Sequence, residues 1–366
     1  MLKSDYIVGG VVQFSHFSVK KFLMSDRLAM STNSNSRYHI AFEDANTLFA
    51  STSLSVLLRD SINKNRAAPA PLVQYAAEHW VAHAQVGSVA SRIRDGMQCL
   101  FDPHKPYFSA WTMQYNVYPF HWAPLTDTKI QREAKPLYYA AFCGFHDLVE
   151  PLASKYPQYT NAIYGKAGTA LHSASHAGHV QVVRALLKCG AEVGARGVKN
   201  KSPLMLASLE GHLDIVQCLL DHGADANLKG DYLYTPLGHA TENCHLETVQ
   251  TLLAHGSDVN FKNNDGHTPL YQALWDGDSK PDFPRLVRLL LEHGTNPNAR
   301  DNERRISLHL VSSSYLQLPL KLEVARILLS RGADVYAEDS EGRTPAQFAL
   351  ARGQAELAHL SEFCSK

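Results

Sequence analysis

Three histidines near the middle of the chain have the spacing of metal ligands. His172, His176 and His179 follow one another closely, and a neutral imidazole nitrogen is a common zinc ligand. A structural zinc site needs four ligands, and no cysteine or carboxylate partner stands nearby to complete the set. We therefore expect no metal site here, and no other pattern in the sequence requires a cofactor.

A second pair of histidines resembles part of a hydrolase motif. Glu78-His79 and His83 place two imidazoles on one helix face, but H-E-x-x-H requires its glutamate after the first histidine. No serine stands in a G-x-S-x-G turn, and no segment reads G-x-x-x-x-G-K-[ST]. No carboxylates are paired for acid–base chemistry. The sequence therefore predicts a protein without enzymatic activity.

The elements that carry these histidines follow a recurring pattern, which is clearest between Ser202 and Gly223. Ser202 can cap a helix and the following proline suits its first turn. The second half of the segment has an apolar stripe, Ile215 to Leu220, that is typical of a second helix. Gly223 can adopt the left-handed conformation that ends such a helix. The segment therefore predicts a pair of short helices.

The pattern returns at a nearly constant distance. Its opening positions are separated by 33 or 34 residues four times and then by 38 residues twice: Lys135, Thr169, Ser202, Thr235, Thr268, Ile306 and Thr344. The glycines that end the second helices keep the same spacing: Gly190, Gly223, Gly256, Gly294 and Gly332. Insertions at 275–284 and 311–319 explain the two longer steps, and we expect them to lengthen loops between helices.

A period near 33 with the sequence Thr169-Ala-Leu-His172-Ser-Ala174 or Thr235-Pro-Leu237 resembles the ankyrin repeat. The resemblance covers roughly Glu133 to the C-terminus and implies a domain at 131–366 with about seven units. We place these at 133–166, 167–199, 200–232, 233–265, 266–303, 304–341 and 342–366. It also implies that His172 bonds to the backbone of adjoining hairpin tips, which competes with the metal interpretation. The first and last units depart from the pattern and are expected to act as caps.

Residues 1–130 are predicted to form a helical region that begins with a short β-hairpin around Gly9-Gly10. Segments within it, Val11 to Leu23 and Gln74 to His83, resemble the region that follows the ATPase core of fungal NACHT-type STAND proteins. That resemblance covers roughly residues 1–150 and implies a winged-helix-like remnant. Because this sequence has no P-loop, the resemblance implies the recognition or regulatory arm of a NACHT-type signalling ATPase whose P-loop domain is absent from this chain. The stretch 102–122, rich in proline and aromatic residues, is expected to be irregular.

Composition limits the classes of partner. The chain has 366 residues and a formal charge of zero, with both signs interspersed, which argues against nucleic acid or an anionic membrane. No apolar run approaches the roughly 18 residues that a membrane span needs. The six cysteines form no C-x-x-C pair, which is typical of reduced thiols in an intracellular, cytoplasmic protein.

The sequence therefore predicts an all-α fold, an ankyrin-repeat solenoid preceded by a small helical, winged-helix-like region. Its predicted function is that of a protein-interaction scaffold that binds a partner protein through a concave face and uses no small-molecule substrate. Counting from each opening position gives the candidate partner-binding residues: Lys199, Lys201, Leu209, Tyr232, Tyr234, His267, Trp275, Asp276 and Arg305. The alternative is that Tyr232 and Tyr234 only pack against neighbouring tips and that Trp275 packs against its own insertion.

Overall fold

Helices account for nearly all regular structure in the residues that the computed structural model describes, which are 7–8, 11–12, 42–60, 71–114, 135–164, 168–276, 282–314 and 316–363. The chain divides into two units, Met1–Lys155 and Tyr156–Lys366. The winged-helix-like segment predicted after the hairpin lies outside the described residues. The predicted all-α class is confirmed by the helix pairs described below.

Unit 1 begins with a two-stranded hairpin and continues as helices. Strand β1 (Ile7–Val8) pairs antiparallel with β2 (Val11–Val12), in the segment where the sequence predicts a hairpin. The helices are α1 (Phe42–Asp60), α2 (Pro71–Ala84), α3 (Val89–Arg92), α4 (Arg94–Leu100), α5 (Pro106–Gln114), α6 (Pro136–Phe142) and α7 (His146–Lys155). Helix α5 corrects the expectation of an irregular stretch, because Pro106 occupies the first helical position, where proline is tolerated.

An aromatic cluster forms the core of unit 1. Trp80 stacks on Phe145 with ring centroids 5.3 Å apart and meets Trp111 edge-on at 5.5 Å. Phe101 packs against the same three rings. Because Phe145 joins α6 to α7, this cluster packs the first helix pair against the preceding helices. The contacts therefore group that pair with unit 1, while the boundary near residue 130, which follows the repeat pattern, stays a prediction.

Unit 2 consists of six further helix pairs within its described residues. They are α8 (Ala170–Ala177) with α9 (Val180–Lys188), α10 (Pro203–Glu210) with α11 (Leu213–Asp221), α12 (Pro236–Glu242) with α13 (Leu246–Ala254), α14 (Pro269–Asp276) with α15 (Phe283–Glu292), α16 (Ser307–Ser313) with α17 (Leu318–Ser330), and α18 (Pro345–Leu350) with α19 (Ala355–Phe363). We call the first member of each pair the inner helix and the second the outer helix. Each inner helix packs on the next inner helix, and each outer helix on the next outer one.

Local signals set the helix ends. The Ser202 hydroxyl accepts the N–H of Met205 over 3.2 Å, and Thr235 caps Gly238 in the same way. Gly223 has φ +83°, in the left-handed region that favours glycine. The leucines of the predicted stripes, such as Leu219, are fully buried between neighbouring pairs. Each pair thus buries its apolar faces only through its neighbours, as expected for a stack of repeats.

The second insertion does more than lengthen a loop. Helix α17 begins at Leu318, inside the predicted insertion, and is longer than the other outer helices. Its Lys321 is buried and donates from Nζ to the Ser312 carbonyl over 3.2 Å. The carbonyls at the end of a helix lack intrahelical partners, so this lysine stabilises the end of α16. The insertion therefore supports packing as well as connecting two helices.

Candidate binding groove

Five-residue hairpins join the repeats in unit 2, and we call each one a tip. In the described part of this unit, Tyr164 donates its N–H to the Gly168 carbonyl over 2.9 Å, and five further tips, with backbones described throughout, have the same hydrogen bond from the N–H of the first residue to the carbonyl of the fifth. These are tips 197–201, 230–234, 263–267, 301–305 and 339–343, with N···O distances of 2.8, 2.9, 3.0, 3.0 and 3.0 Å. The five tips therefore share one backbone frame and differ in their side chains.

The last three tips begin with a side chain that anchors them. Asp301 Oδ1 accepts the backbone N–H groups of Glu303 and Arg305 over 2.9 and 2.7 Å, and its Oδ2 accepts from Arg305 Nε over 2.8 Å. Asp339 makes the same set of bonds in its own tip. Asn263 accepts two backbone N–H groups with its amide oxygen. We call these three the anchored tips.

Tips 197–201 and 230–234 begin with glycine instead, and we call them the glycine tips. Without an anchoring side chain, each turns through two successive left-handed residues. Lys199 and Asn200 have φ of 53° and 54°, and Tyr232 and Leu233 have 57° and 61°. For a residue other than glycine or asparagine this conformation costs on the order of 1 kcal/mol. The glycine tips therefore hold their exposed side chains in a strained conformation.

A groove of about 220 Å³ lies between the two glycine tips. Five of the nine predicted partner-binding residues line it: Lys199, Lys201, Leu209, Tyr232 and Tyr234. The remaining lining residues are Gly230, Asp231, His239 and Glu242. None of these four is among the nine residues predicted from the sequence. The sequence does contain a signal for His239. Gly238 occupies the repeat position that His172 occupies in its own repeat, so the histidine of this repeat is shifted by one residue to His239.

Lys201 is a half-buried cation in this groove, and it forms no ion pair with any residue in the described part of the chain. Burial lowers the pKa of its ammonium group, and the charge of Lys199 lowers that pKa further, whereas Glu242 and Glu210 oppose the change. A buried ammonium group without a counterion is unfavourable, because it has lost water and gained no partner in return. The groove therefore holds a half-buried cation, Lys201, together with Lys199 and the carboxylates of Asp231 and Glu242.

His239 forms the wall beside Lys201. Its side chain is buried, its ring stacks on Tyr234 with centroids 5.3 Å apart, and its Nδ1 lies 3.6 Å from Glu242 Oε2. Burial lowers the pKa of His239, which favours the neutral ring near pH 7. Its Nδ1 makes no hydrogen bond to the described residues.

Of the other four predicted residues, Arg305 and His267 do not line the groove. Arg305 is 9 % exposed and its guanidinium contacts Asp301 and Glu303, so it is held within the chain and is not presented to a partner. His267 is half-buried and stacks on Tyr271 with ring centroids 4.2 Å apart. Trp275 and Asp276 end helix α14, and their side chains lie outside the described residues.

His172 has a structural role. Its Nδ1 accepts the Thr169 N–H over 3.1 Å, and its Nε2 lies 3.0 Å from the Lys201 carbonyl, to which it donates. This ring thus connects helix α8 to tip 197–201. Burial lowers the pKa of His172 to about 4, so the ring is neutral near pH 7. Within the described residues, no group of histidine, cysteine and acidic side chains is placed to hold a metal ion.

The repeats match known sequence families. A profile described as "Ankyrin repeats (3 copies)" matches residues 121–197, 137–230 and 204–301, and one described as "Ankyrin repeats (many copies)" matches 321–360. These ranges together span more than half of the chain. The chain therefore belongs to the ankyrin-repeat family.

Curated relatives share only part of their length with this chain. It is 30 % identical over 199 residues to the "Azaphilone pigments biosynthesis cluster protein L" of Monascus ruber, a match that spans 50 % of the chain and 41 % of that protein. It is 36 % identical over 72 residues to alpha-latrocrustotoxin-Lt1a of Latrodectus tredecimguttatus, spanning 20 % of the chain and 5 % of the toxin. The chain thus spans less than half the length of these relatives.

Solved structures of ankyrin domains superpose on the repeats. The human ASB11 ankyrin repeat domain is 25 % identical, with a TM-score of 0.54 over 62 % of this chain and 98 % of that one. The ankyrin repeat domain of Bcl-3, described as a member of the IkappaB protein family, is 26 % identical, with a TM-score of 0.53 and the same two coverages. These neighbours support a protein–protein interaction role. None of the described helices is long and apolar enough to cross a membrane.

Proposed function

We propose that this protein is a non-catalytic scaffold that binds a partner protein at the two glycine tips and the groove between them. The observation that carries the proposal is Tyr232, whose side chain is 67 % exposed while its backbone is held in a left-handed conformation. Strained backbone often occurs at functional sites, and exposed apolar surface often marks a site of protein interaction. Tyrosine is also one of the residues that most often dominate the energy of an interface.

The surroundings of Tyr232 support the same surface. Leu233 is exposed beside it, Tyr234 is half-buried against His239, and the groove opens next to all three. Because the tips are fixed by backbone hydrogen bonds and by packing, a partner meets a surface that needs little reordering. Preorganisation of this kind reduces the entropy lost on binding. The proposal includes neither nucleic acid nor a membrane nor a small-molecule substrate, in keeping with the zero formal charge.

Affinity capture with the full chain tests the proposal. Partners retained by the wild-type protein are compared with those retained by a variant carrying Tyr232→Ala and Tyr234→Ala. We expect at least about a tenfold loss of affinity, the usual effect of removing an aromatic anchor. Tyr336→Ala is the matched control, since Tyr336 is 69 % exposed but does not line the groove. Undiminished capture by the double variant, with unchanged thermal unfolding, would remove this surface from consideration.

A second candidate function is the recognition or regulatory arm of a NACHT-type signalling ATPase. It is supported by the sequence resemblance of residues 1–150 to that family. The match to a curated relative also covers less than half of that relative's length. In this case the P-loop domain would belong to another part of a longer protein or to a separate chain. The genomic sequence upstream of Met1 distinguishes the two, because an in-frame Walker motif there supports the arm and a promoter directly upstream supports the independent scaffold.

An intracellular, cytoplasmic location is part of the proposal. Cys143 and Cys218 are buried as thiols, and burial raises the pKa of Cys143 to about 12. Buried thiols of this kind act as small apolar core residues. Fractionation of cells that express the tagged full chain checks the location, and recovery in the medium would contradict it.

A further inference from the structure

Four loops of unit 2 carry an asparagine that links the loop to that of the next repeat. Asn227 donates from Nδ2 to the Gly256 carbonyl over 2.9 Å and accepts the Asp258 N–H over 2.8 Å. Three other asparagines make the same two bonds to the loop that follows them: Asn161, Asn260 and Asn298. Gly194 holds this position one period before Asn227. Loop 190–201 therefore lacks the asparagine link to loop 223–234.

A second set of links connects the tips through their backbones. Three such bonds follow one another: Asn264 N–H to the Tyr232 carbonyl at 3.1 Å, Asn302 N–H to the Asp265 carbonyl at 3.3 Å, and Ser340 N–H to the Glu303 carbonyl at 2.9 Å. The corresponding bond would join Asp231 N–H to the Lys199 carbonyl, and it is not formed in the described structure. Arg196 still connects the two loops, donating to the Lys229 carbonyl over 2.8 Å.

Both links are therefore missing between the same two loops, 190–201 and 223–234, and we call their boundary the open junction. The groove lies at this junction, and Lys199 and Asp231 line it. An extended peptide can bond to an unpaired carbonyl and an unpaired N–H, as partners do when they add a strand to an exposed edge.

The charges of the open junction indicate which peptide fits. Lys199 and Lys201 are close enough for their charges to oppose one another, and neither forms an ion pair with a described residue. Of the two carboxylates that line the groove, Glu242 already lies against His239 and favours the charged form of Lys201. A carboxylate brought by a partner would give the half-buried ammonium group of Lys201 a counterion. Hydrogen bonds between charged groups are the stronger class of such contacts.

We propose that the groove binds an extended segment of a partner protein that carries an aspartate or glutamate. The carboxylate of that residue pairs with Lys201 and Lys199, while the backbone of the segment bonds to Asp231 N–H and to the Lys199 carbonyl. Apolar side chains next to the acidic residue contact Leu209 and Tyr232. This inference rests on the proposed function and specifies the chemistry of the partner.

A random peptide library tests the inference. Short peptides displayed as N-terminal fusions on phage are selected on the immobilised full chain, so that any carboxylate must come from a side chain. We expect the enriched peptides to share an aspartate or glutamate next to an aromatic or aliphatic residue. Synthetic copies with capped ends should lose at least about tenfold in affinity when the acidic residue is replaced by its amide.

Substitutions in the chain complete the test. Lys201→Gln should weaken the enriched peptide by a similar factor, whereas Lys188→Gln, on helix α9 outside the groove, should leave its affinity unchanged. Lys201→Glu should shift the selection towards lysine and arginine peptides. Circular dichroism of each variant checks that it folds. Enrichment of basic peptides by the wild-type chain, no enrichment at all, or equal affinity for the acid and amide peptides would each overturn the inference.

Failure of the inference can be told apart from failure of the proposed function. If the captured partner depends on Tyr232 and Tyr234 but not on Lys201, the tips bind proteins and the acidic segment is wrong. If the partner depends on none of these three residues, the surface itself is wrong.

Discussion

The two glycine tips and the three anchored tips share a backbone hydrogen bond yet present different surfaces. In tip 301–305 the carboxylate of Asp301 collects two backbone N–H groups, the Arg305 guanidinium and the Tyr271 hydroxyl, so the fifth residue folds back onto the first. In tip 230–234 the first residue is Gly230, and the fifth, Tyr234, packs on His239 at the wall of the groove. The side chain at the first position thus decides whether the fifth residue bonds within its own tip or lines the groove.

The difference teaches how a repeat protein can vary its surface without changing its frame. Asp301 and Asp339 direct the polar groups of their tips inward, where these groups stabilise the stack. Gly197 and Gly230 give up that stabilisation, and Lys201 and Tyr234 are left to line a groove. Stability and availability for binding are therefore distributed over different repeats, as expected where function requires strained or unpaired groups.

The largest effect is expected from removing an anchor. Asp301→Ala leaves the Arg305 guanidinium without its main partner while its side chain is only 11 % exposed, so we expect a loss of about 3–5 kcal/mol of unfolding free energy. Urea unfolding followed by circular dichroism measures it. Asp339→Ala is the comparison, and it should cost less because the Arg343 side chain is 34 % exposed. Equal and small losses in both variants would mean that the anchors contribute little.

Acid should weaken the glycine tip 197–201 most, and the anchored tip 339–343 less, since His309 donates to the Arg343 carbonyl over 3.0 Å and burial also lowers the pKa of His309. The His172 ring that holds this tip has a pKa of about 4 in the folded protein, against 6.5 for the unfolded chain. The unfolded chain therefore binds more protons between these values, so this contribution is complete above pH 6.5 and is lost as the pH falls towards 4. The difference corresponds to about 3 kcal/mol.

The pKa of Asp339 is also lowered, since hydrogen bonds from the Arg343 and Glu341 backbone and from the Arg343 side chain outweigh the effect of its burial. The contribution of Asp339 to the free energy of unfolding is therefore lost only when the pH falls below 3.8, the ordinary pKa of the group. Unfolding free energies between pH 7 and 4 test the contrast. His172→Gln should flatten the decline, and an unchanged slope would show that this histidine does not hold the tip.

Hydrogen exchange should reveal the open junction directly. The Asp231 N–H lacks the bond to the preceding tip that the Ser340 N–H makes over 2.9 Å. We expect the Asp231 amide to exchange at least about tenfold faster than the Ser340 amide after correction for sequence, since unbonded surface amides have the least protection. Nuclear magnetic resonance of the deuterated full chain measures both rates. Similar protection of the two amides would contradict an open junction.

The smallest effect is expected from restoring the missing asparagine. Gly194 is not left-handed, and a Cβ added there would meet no atom within 4 Å. Gly194→Asn should add the two bonds that Asn227 makes one repeat later and raise the unfolding free energy by about 1 kcal/mol. Thermal unfolding measures the gain, and exchange of the Asp225 N–H should slow. Gly190→Ala is the control, because φ of +83° should make it destabilising.

Much of the fold could be predicted from the sequence because its signals are local. The hydroxyls of Ser202 and Thr235 reach amides three residues away, and glycines such as Gly223 end helices where a side chain would be strained. Repetition of these signals at a constant distance is enough to predict stacked helix pairs, since one pair cannot bury its apolar faces alone. Tertiary contact was needed to show that α5 is a helix and that the second insertion extends α17, because both depend on burial against distant residues such as Trp80 and Ser312.

The candidate site divides in the same way. Counting along the repeats placed Lys201, Tyr232 and Tyr234 on one face, and the structure brings them together around a groove. Counting also placed Arg305 there, but its charge is held by Asp301, four residues away. By itself the sequence determined the period, the caps and the side chains carried by each tip. Only the tertiary structure decided which tips open, because that depends on hydrogen bonds between loops some thirty residues apart, such as the bond that Asp231 and Lys199 do not form.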